Sequence, residues 1–189
     1  MVTLGRNLGL EWPDEYCRYL NGVLGIASRR IDDRDGEWIP HSFPWALNQE
    51  VIGSIRFSGS KVHQLDLLRV NGKGKSMFHH LFVVQAPINR QSEDFKCCWR
   101  IEKPFSLRGK SDFVWKEGPL AEDLSLDLGL SSALASFRHY IQIKADKEKQ
   151  SVTLLFDFTD RPDYLTQEQF QAIDRIAEHI LHFSRFGQA

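Results

Sequence analysis

The sequence has no long apolar run and little cysteine. No stretch of 18 or more apolar residues occurs in the 189-residue chain, so no transmembrane helix or membrane insertion is expected. The first residues, MVTLGRNLGLEWPDEY, lack the basic region and apolar stretch of a signal peptide. Three cysteines are an odd number and too few for a disulfide framework. We therefore expect a soluble, cytoplasmic protein in a reducing setting.

The overall composition is typical of one folded domain. Hydrophobic residues make up 42% and charged residues 26% of the sequence, which argues against disorder. Aromatic residues reach 12%, and their large side chains suit the core of a sheet-based fold. A chain of 189 residues is long enough for one sizeable core and short for two. We predict a single domain over residues 1–189.

Alternating polar and apolar residues predict strands in the middle of the chain. Turn residues separate four such segments, EVIGSIRFSG, KVHQLDLLRV, SMFHHLFVVQAP and DFKCCWRIEKP. Further on, YIQIKADKEKQSVTLLFDF reads as a hairpin around a polar loop. Because these strands follow one another through short turns, we predict a largely antiparallel sheet.

Helical spacing marks both ends of the chain. In WPDEYCRYLNGVLGIASRR, Pro13 suits a first helical turn. Apolar residues recur there at a spacing of three to four, namely Tyr16, Tyr19, Leu20, Val23 and Ala27. Near the other end, Thr166 and Gln169 fit a capping box before a long helix. The apolar face of that helix comprises Phe170, Ile173, Ala177, Ile180 and Leu181.

Two shorter helices are expected between the strands. PLAEDLSLDLG would end at Gly129, and ALASFRHY would be capped by Ser131 or Ser132. The fold class is therefore α+β, with a largely antiparallel sheet packed by a long C-terminal helix and shorter helices.

Two pairs of neighbouring residues, His79-His80 and Cys97-Cys98, raise the question of a metal or Cys/His site. Neighbouring side chains of a strand point to opposite faces, so each pair diverges. A structural zinc site needs about four ligands, usually in spaced pairs, and neither pair has that spacing. One cysteine beside one histidine is geometrically open, but no local motif supports it. We predict no metal and no cofactor and assign no catalytic residue; one cysteine should be buried and the other solvent-facing or interfacial.

Positive charge is concentrated in the middle of the chain. Residues 51–116 hold 12 Lys/Arg and 5 Asp/Glu, whereas the remainder holds 12 and 20. Such asymmetry can mark an anion-binding face, or two faces that pair within one fold or between subunits, and we favour pairing within one fold. The candidate ligand-binding residues are Arg100, Arg108, Lys110, Trp115 and Lys116.

The segment from Arg100 to Lys116 admits two interpretations. Its cations and Trp115 could hold an anionic ligand. Alternatively, Phe113 and Trp115 fill the core while the cations stay solvated, which we favour. Nucleic acid is not a favoured partner, because SMFHHLFVV does not match the aromatic pattern of an RNA-recognition sheet.

About half of the chain resembles an uncharacterised prokaryotic domain type. The residues that carry the resemblance are GSIRFSGSKVHQLDLLRVNGKGKSMFHHLFVVQAP, WRIEKP and FVWKEGPLAEDLSLDLGL. Domains of this type pair a G-x-Y-x-G strand with a later Lys/Gly-rich segment and an LA-x-x-L helix; here Phe57 stands at the Tyr position. The resemblance implies an antiparallel sheet with packed helices and no known catalytic residues.

The leading functional interpretation is a non-enzymatic binding or scaffold protein, with self-association as one form. Its partner would be another protein or a second copy of the chain. The alternative is an enzyme or small-ligand binder that uses the basic segment from Arg100 to Lys116 for an anionic ligand. An open pocket lined by those cations would favour the alternative, and an apolar surface patch over a filled core would favour the first.

Purified protein should contain no stoichiometric zinc, because the spacing of the cysteines does not suit a metal site. Elemental analysis measures this directly. One equivalent of zinc that is lost in Cys97→Ser or Cys98→Ser would contradict the expectation.

Overall fold

The computed structural model describes residues 11–31, 49–71, 76–102, 112–137, 140–157 and 164–186. Within these ranges the helices are α1 (Trp12–Gly22), a 3₁₀ helix (Ser92–Phe95), α2 (Pro119–Ser125), α3 (Leu128–Phe137) and α4 (Gln167–Phe186). The strands are β1 (Ser28–Ile31), β2 (Gln49–Phe57), β3 (Gln64–Asn71), β4 (Ser76–Gln85), β5 (Cys97–Glu102), β6 (Asp112–Lys116), β7 (Ile141–Asp146) and β8 (Ser151–Asp157).

The strands form one eight-stranded sheet in the order β1-β2-β3-β4-β8-β7-β5-β6. Each neighbouring pair is antiparallel. The first four strands follow one another as a meander. The β7–β8 hairpin then lies between β4 and the β5–β6 hairpin, so β4 and β5 are consecutive in sequence but not neighbours in the sheet. The predicted α+β class, antiparallel sheet and long C-terminal helix are confirmed.

The two faces of the sheet carry different side chains. On β3, Leu65 and Leu67 belong to the main hydrophobic core, which also contains residues of all four α-helices. We call this face the helix-packed face. Gln64, Asp66 and Leu68 alternate with these leucines, and therefore point to the opposite face. Both sets are buried, which explains why alternation along this strand did not reveal an inner face.

Helix α4 supplies a large share of the main core. Its buried residues include Phe170, Ile173, Ile176, Ala177 and Ile180. The capping box is confirmed, because the Thr166 N–H donates to Gln169 Oε1 (2.9 Å) and the Gln169 N–H donates to Thr166 Oγ1 (3.2 Å). These reciprocal bonds satisfy backbone donors that a helix start otherwise leaves without partners.

Helix α1 packs closely on β2. A Cβ atom at Gly53 would lie 2.2 Å from Pro13 Cγ, so a side chain at this position would push the helix off the sheet. The register of β2 against β3 also shifts between Val51 and Gly53. Glycine at a bulge permits such a close approach.

Three local expectations were wrong. The strand β1 occupies part of the segment expected to be helical, because α1 ends at Gly22. Gly129 lies inside α3, and Ser131 and Ser132 lie in its second turn instead of capping it. The cap is Asp127, whose Oδ1 accepts the Leu130 N–H at 2.9 Å.

None of the helices in the described ranges is both long and apolar enough to cross a membrane.

Truncation of the buried face of α4 should destabilise the protein strongly. Ile173→Ala and Ile180→Ala each leave a cavity at a fully buried position and should cost about 2–5 kcal/mol. Thermal unfolding should show a Tm lower by at least about 4 °C. Gln171→Ala, on the exposed face of the same helix, is the matched control and should leave Tm nearly unchanged; equal effects of all three would contradict the packing.

Candidate functional site

The structure brings only part of the predicted basic segment together. Arg100 on β5 and Lys116 on β6 lie on adjacent strands, where Cys98 pairs with Lys116 and Arg100 pairs with Val114. The two cations therefore lie diagonally across the strand pair, on the same face of the sheet. Arg100 is exposed and Lys116 half-buried. Arg108 and Lys110 lie outside the described residues.

Trp115 does not face the same way as these cations. Its ring lies in the main core, 5.3 Å from the ring of Trp99, and the ring of Phe113 stacks against Trp99 at 5.8 Å. Because neighbouring strand residues alternate, Trp115 and Lys116 are on opposite faces of β6. The cluster of Trp115 with Arg100 and Lys116 is therefore split by the sheet.

Cys98 lies beside Arg100 but is not an activated nucleophile. One cysteine was expected to be buried and the other solvent-facing or interfacial; both Cys97 and Cys98 are buried within the chain, so the second half of the expectation was wrong. Burial and the Glu117 carboxylate raise the pKa of the Cys98 thiol, against the smaller opposing effects of Arg100 and Tyr140. The thiol is thus protonated at neutral pH, whereas nucleophilic cysteines need a lowered pKa.

The histidine and cysteine pairs are far apart. His79 and His80 are on β4, Cys97 and Cys98 are on β5, and β8 and β7 lie between these strands. Three strand spacings amount to about 14 Å, which is too far for a Cys/His pair. Within the part of the chain that the structure describes, no group of three or more His, Cys, Asp or Glu side chains is placed to hold a metal ion.

A buried carboxyl group lies on the face of the sheet opposite the helices. Asp66 Oδ1 accepts hydrogen bonds from Ser54 Oγ (2.6 Å) and Gln64 Nε2 (2.7 Å). Burial raises the pKa of Asp66 to about 6, although both hydrogen bonds and the charge of Lys149 act in the opposite direction. The bond to Ser54 joins β3 to β2, and we assign the cluster a structural role.

A second polar cluster joins α2, α3 and α4 around an open cavity of about 720 Å³. Charged and titratable side chains of both signs line the cavity, among them Asp123, Asp127, Arg175, Glu178, His179 and His182.

His179 on α4 lies between two carboxylates. Its Nδ1 is 2.9 Å from Asp123 Oδ2 at the end of α2, and its Nε2 is 3.0 Å from Asp127 Oδ2 before α3. Since carboxylates only accept, both ring nitrogens must donate, and only the protonated imidazolium can do so. The geometry therefore corresponds to a positively charged His179.

Asp127 is the anchor of this cluster. Its side chain is only 8% exposed, and it caps α3 through the Leu130 N–H. Arg175 approaches it in a fork, with Nη2 2.7 Å from Oδ1 and Nε 2.5 Å from Oδ2. Gly129 leaves room for the guanidinium, because a Cβ atom there would lie 3.3 Å from Arg175 Nη1.

Asp127 and His179 shift each other's pKa. Burial opposes the charge of Asp127, but hydrogen bonds from Leu130, His179 and Arg175 outweigh it and hold the pKa of Asp127 below its ordinary value. Burial likewise acts to lower the pKa of His179, and the bonds and charges of Asp127 and Asp123 raise it above its ordinary value. Both shifts favour the ion pair.

Two leucines flank Asp127 and are exposed. Leu126 is 82% and Leu128 79% exposed, and both line the cavity. Asp127 points inward to His179 and Arg175, whereas its neighbours on either side are exposed to solvent. The α2–α3 turn thus presents two apolar side chains beside charged groups of α4. We call the surface formed by Leu126, Leu128, Arg175 and Glu178 the leucine surface.

Sequence reasoning missed this site. Its signal was present as two pairs at a spacing of one helical turn, Asp123 with Asp127 and Arg175 with His179. Residues four apart share a helix face, so each pair alone indicated a charged face. Nothing in the sequence showed that the two faces meet across about 50 positions.

The chain matches no protein-family model, no curated protein and no solved structure. The resemblance to a prokaryotic domain type therefore stays a prediction, and the site must be interpreted from its own chemistry.

Asp66→Asn should stabilise the protein at neutral pH. A carboxyl group whose pKa is raised on folding stabilises the folded state below about pH 3.8, and this contribution is lost as the pH rises to about 6. An amide keeps the acceptor oxygen without the charge, so the gain at pH 7.5 should be about 1–3 kcal/mol and should shrink towards pH 4.

Urea unfolding of both proteins at the two pH values measures this effect. Glu148→Gln, at an exposed turn position, serves as the control and should change stability by less than about 0.5 kcal/mol. An Asp66→Asn variant less stable than the wild type at pH 7.5 would contradict the role of burial.

Proposed function

We propose that this chain is a non-enzymatic binding protein that self-associates through the leucine surface. The single observation that carries the proposal is the exposure of Leu126 and Leu128 on one turn. Asp127 fixes that turn through its contacts with the Leu130 N–H and His179. Scattered exposed leucines need no explanation. Two exposed leucines on one turn, fixed beside a cavity, form a surface whose burial is energetically favourable.

The energetic reason is burial of apolar area. Full burial of a leucine side chain contributes about 1.5–3 kcal/mol, and a two-fold contact would bury both leucines of each copy. The turn is already ordered by the cap at Asp127 and by the contact of Asp123 with His179, so little additional conformational entropy is lost on binding.

The charges around the leucines favour a second copy of the chain as the partner. A two-fold interface places a surface against itself, so it must be complementary to itself. Beside the leucines, α4 carries the anion Glu178 and the cation Arg175, which remains half-exposed while it contacts Asp127, and both line the same cavity. Rotation about a two-fold axis can therefore bring unlike charges together around an apolar centre.

The alternative, an anionic ligand at the basic segment, has less support. Arg100 and Lys116 are on one face of the sheet and Trp115 on the other, and the cavity described above is lined by α2, α3 and α4. For compartment we propose the cytoplasm, because Cys17, Cys97 and Cys98 are all free thiols, as a reducing setting maintains them.

Sedimentation velocity over a range of protein concentrations tests the proposal. The wild type should show a monomer–dimer equilibrium, and Leu126→Ser with Leu128→Ser should weaken it by about tenfold or more, because each leucine contributes apolar burial. Val23→Ser is the matched control, since Val23 is 69% exposed at the end of α1, away from the leucine surface.

Two results would overturn the proposal. One is a wild-type protein that stays monomeric up to the highest concentration. The other is an equal loss of association in the leucine variant and in Val23→Ser, which would show that the contact is not specific to this surface.

A further inference from the structure

His179 contacts the two carboxylates nearest to Leu126 in sequence. Leu126 lies between Asp123 and Asp127 in sequence, and both of these carboxylates contact His179 on α4. A protonated His179 can donate to both carboxylates at once. A neutral imidazole has one N–H, so it can donate to only one of them, and its other nitrogen then presents a lone pair to a carboxylate oxygen.

The contacts of His179 with Asp123 and with Asp127 would not be lost equally when His179 loses its proton. Asp127 has three further donor contacts, one from the Leu130 N–H and two from Arg175, and its side chain is nearly buried. Asp123 is 33% exposed, so water can replace its histidine partner at small cost. Loss of the proton should therefore release Asp123 and the end of α2, while Asp127 stays bound to Arg175.

We propose that His179 is a proton-controlled latch that holds the end of α2 beside Leu126, and that its release weakens docking at the leucine surface. The effect on docking rests on the self-association proposed above. The latch itself is a property of the monomer and does not depend on that proposal.

The neighbouring charges act on this proton in a definite direction. Asp123 and Asp127 contact the imidazole directly, Arg175 and Glu178 on α4 line the same cavity, and so does His182. The carboxylates raise the pKa of His179 above its ordinary value of about 6.5. The stabilisation by the latch is therefore complete below about pH 6.5 and is lost as the pH rises through the higher pKa of the folded protein.

The first measurement follows the latch in the full-length chain by NMR. The ring signals of His179 should titrate with a midpoint above about 6.5, and the methyl signals of Leu126 and Leu128 should shift with the same midpoint. In His179→Gln, which cannot be protonated in this range, the methyl signals should no longer follow this transition. Circular dichroism and Tm confirm that the variant is folded.

The second measurement follows docking by sedimentation from about pH 5.5 to about pH 8.5. Dimer dissociation should become easier by about fivefold or more across the transition in the wild type, and the pH dependence should disappear in His179→Gln. His63→Gln, in the connection between β2 and β3, is the control histidine and should keep the wild-type pH dependence.

The outcomes separate the two proposals. If leucine methyl signals follow His179 but no dimer forms at any pH, the latch stands and self-association is wrong. If a dimer forms through the leucines but neither the methyl signals nor the affinity follow His179, the latch is wrong. A His179 midpoint at or below the ordinary value would also overturn the latch.

Discussion

The burial of one face of α4 is the interaction on which the other contacts in the structure depend. Its apolar residues join the main core together with strands and the other three helices. The flanks of the same helix then fix separate loops. Asp174 accepts bonds from Ser60 Oγ and the Lys61 N–H between β2 and β3, and His179 holds the α2–α3 turn. A helix anchored by hydrophobic burial thus places its polar flanks accurately enough to orient other segments.

The alternation of side chains along strands decides what the sheet can bring together. His79 and His80, and likewise Trp115 and Lys116, are neighbours in sequence and occupy opposite faces. Alternation by itself therefore argues against a shared metal or ligand site at either pair. The strand order adds a second restriction, because the β7–β8 hairpin separates β4 from β5. Adjacency in sequence is consequently a poor guide to a site in this fold.

Local features of the fold could be predicted and long-range ones could not. The capping box at Thr166 and Gln169 and the apolar face of α4 are contained within one helix, so periodicity was sufficient. The sequence pattern places Asp127 in the preceding helix and so predicts a serine cap for α3, whereas the structure uses Asp127. The contact of His179 with Asp123 joins residues 56 positions apart, and the sheet order depends on a late hairpin. Both arise from packing that no local pattern records.

Asp66 and Asp127 show why burial alone does not define the behaviour of a carboxyl group. Both side chains are largely removed from water. Asp66 has neutral donors as its hydrogen-bonding partners, so burial prevails and its pKa rises to about 6. Asp127 contacts a guanidinium and an imidazolium, so the opposite charges prevail and its pKa falls. The charge that Asp127 retains, together with that of Asp123, raises the pKa of His179, so the proposed latch would respond to pH through the histidine and not through the acid.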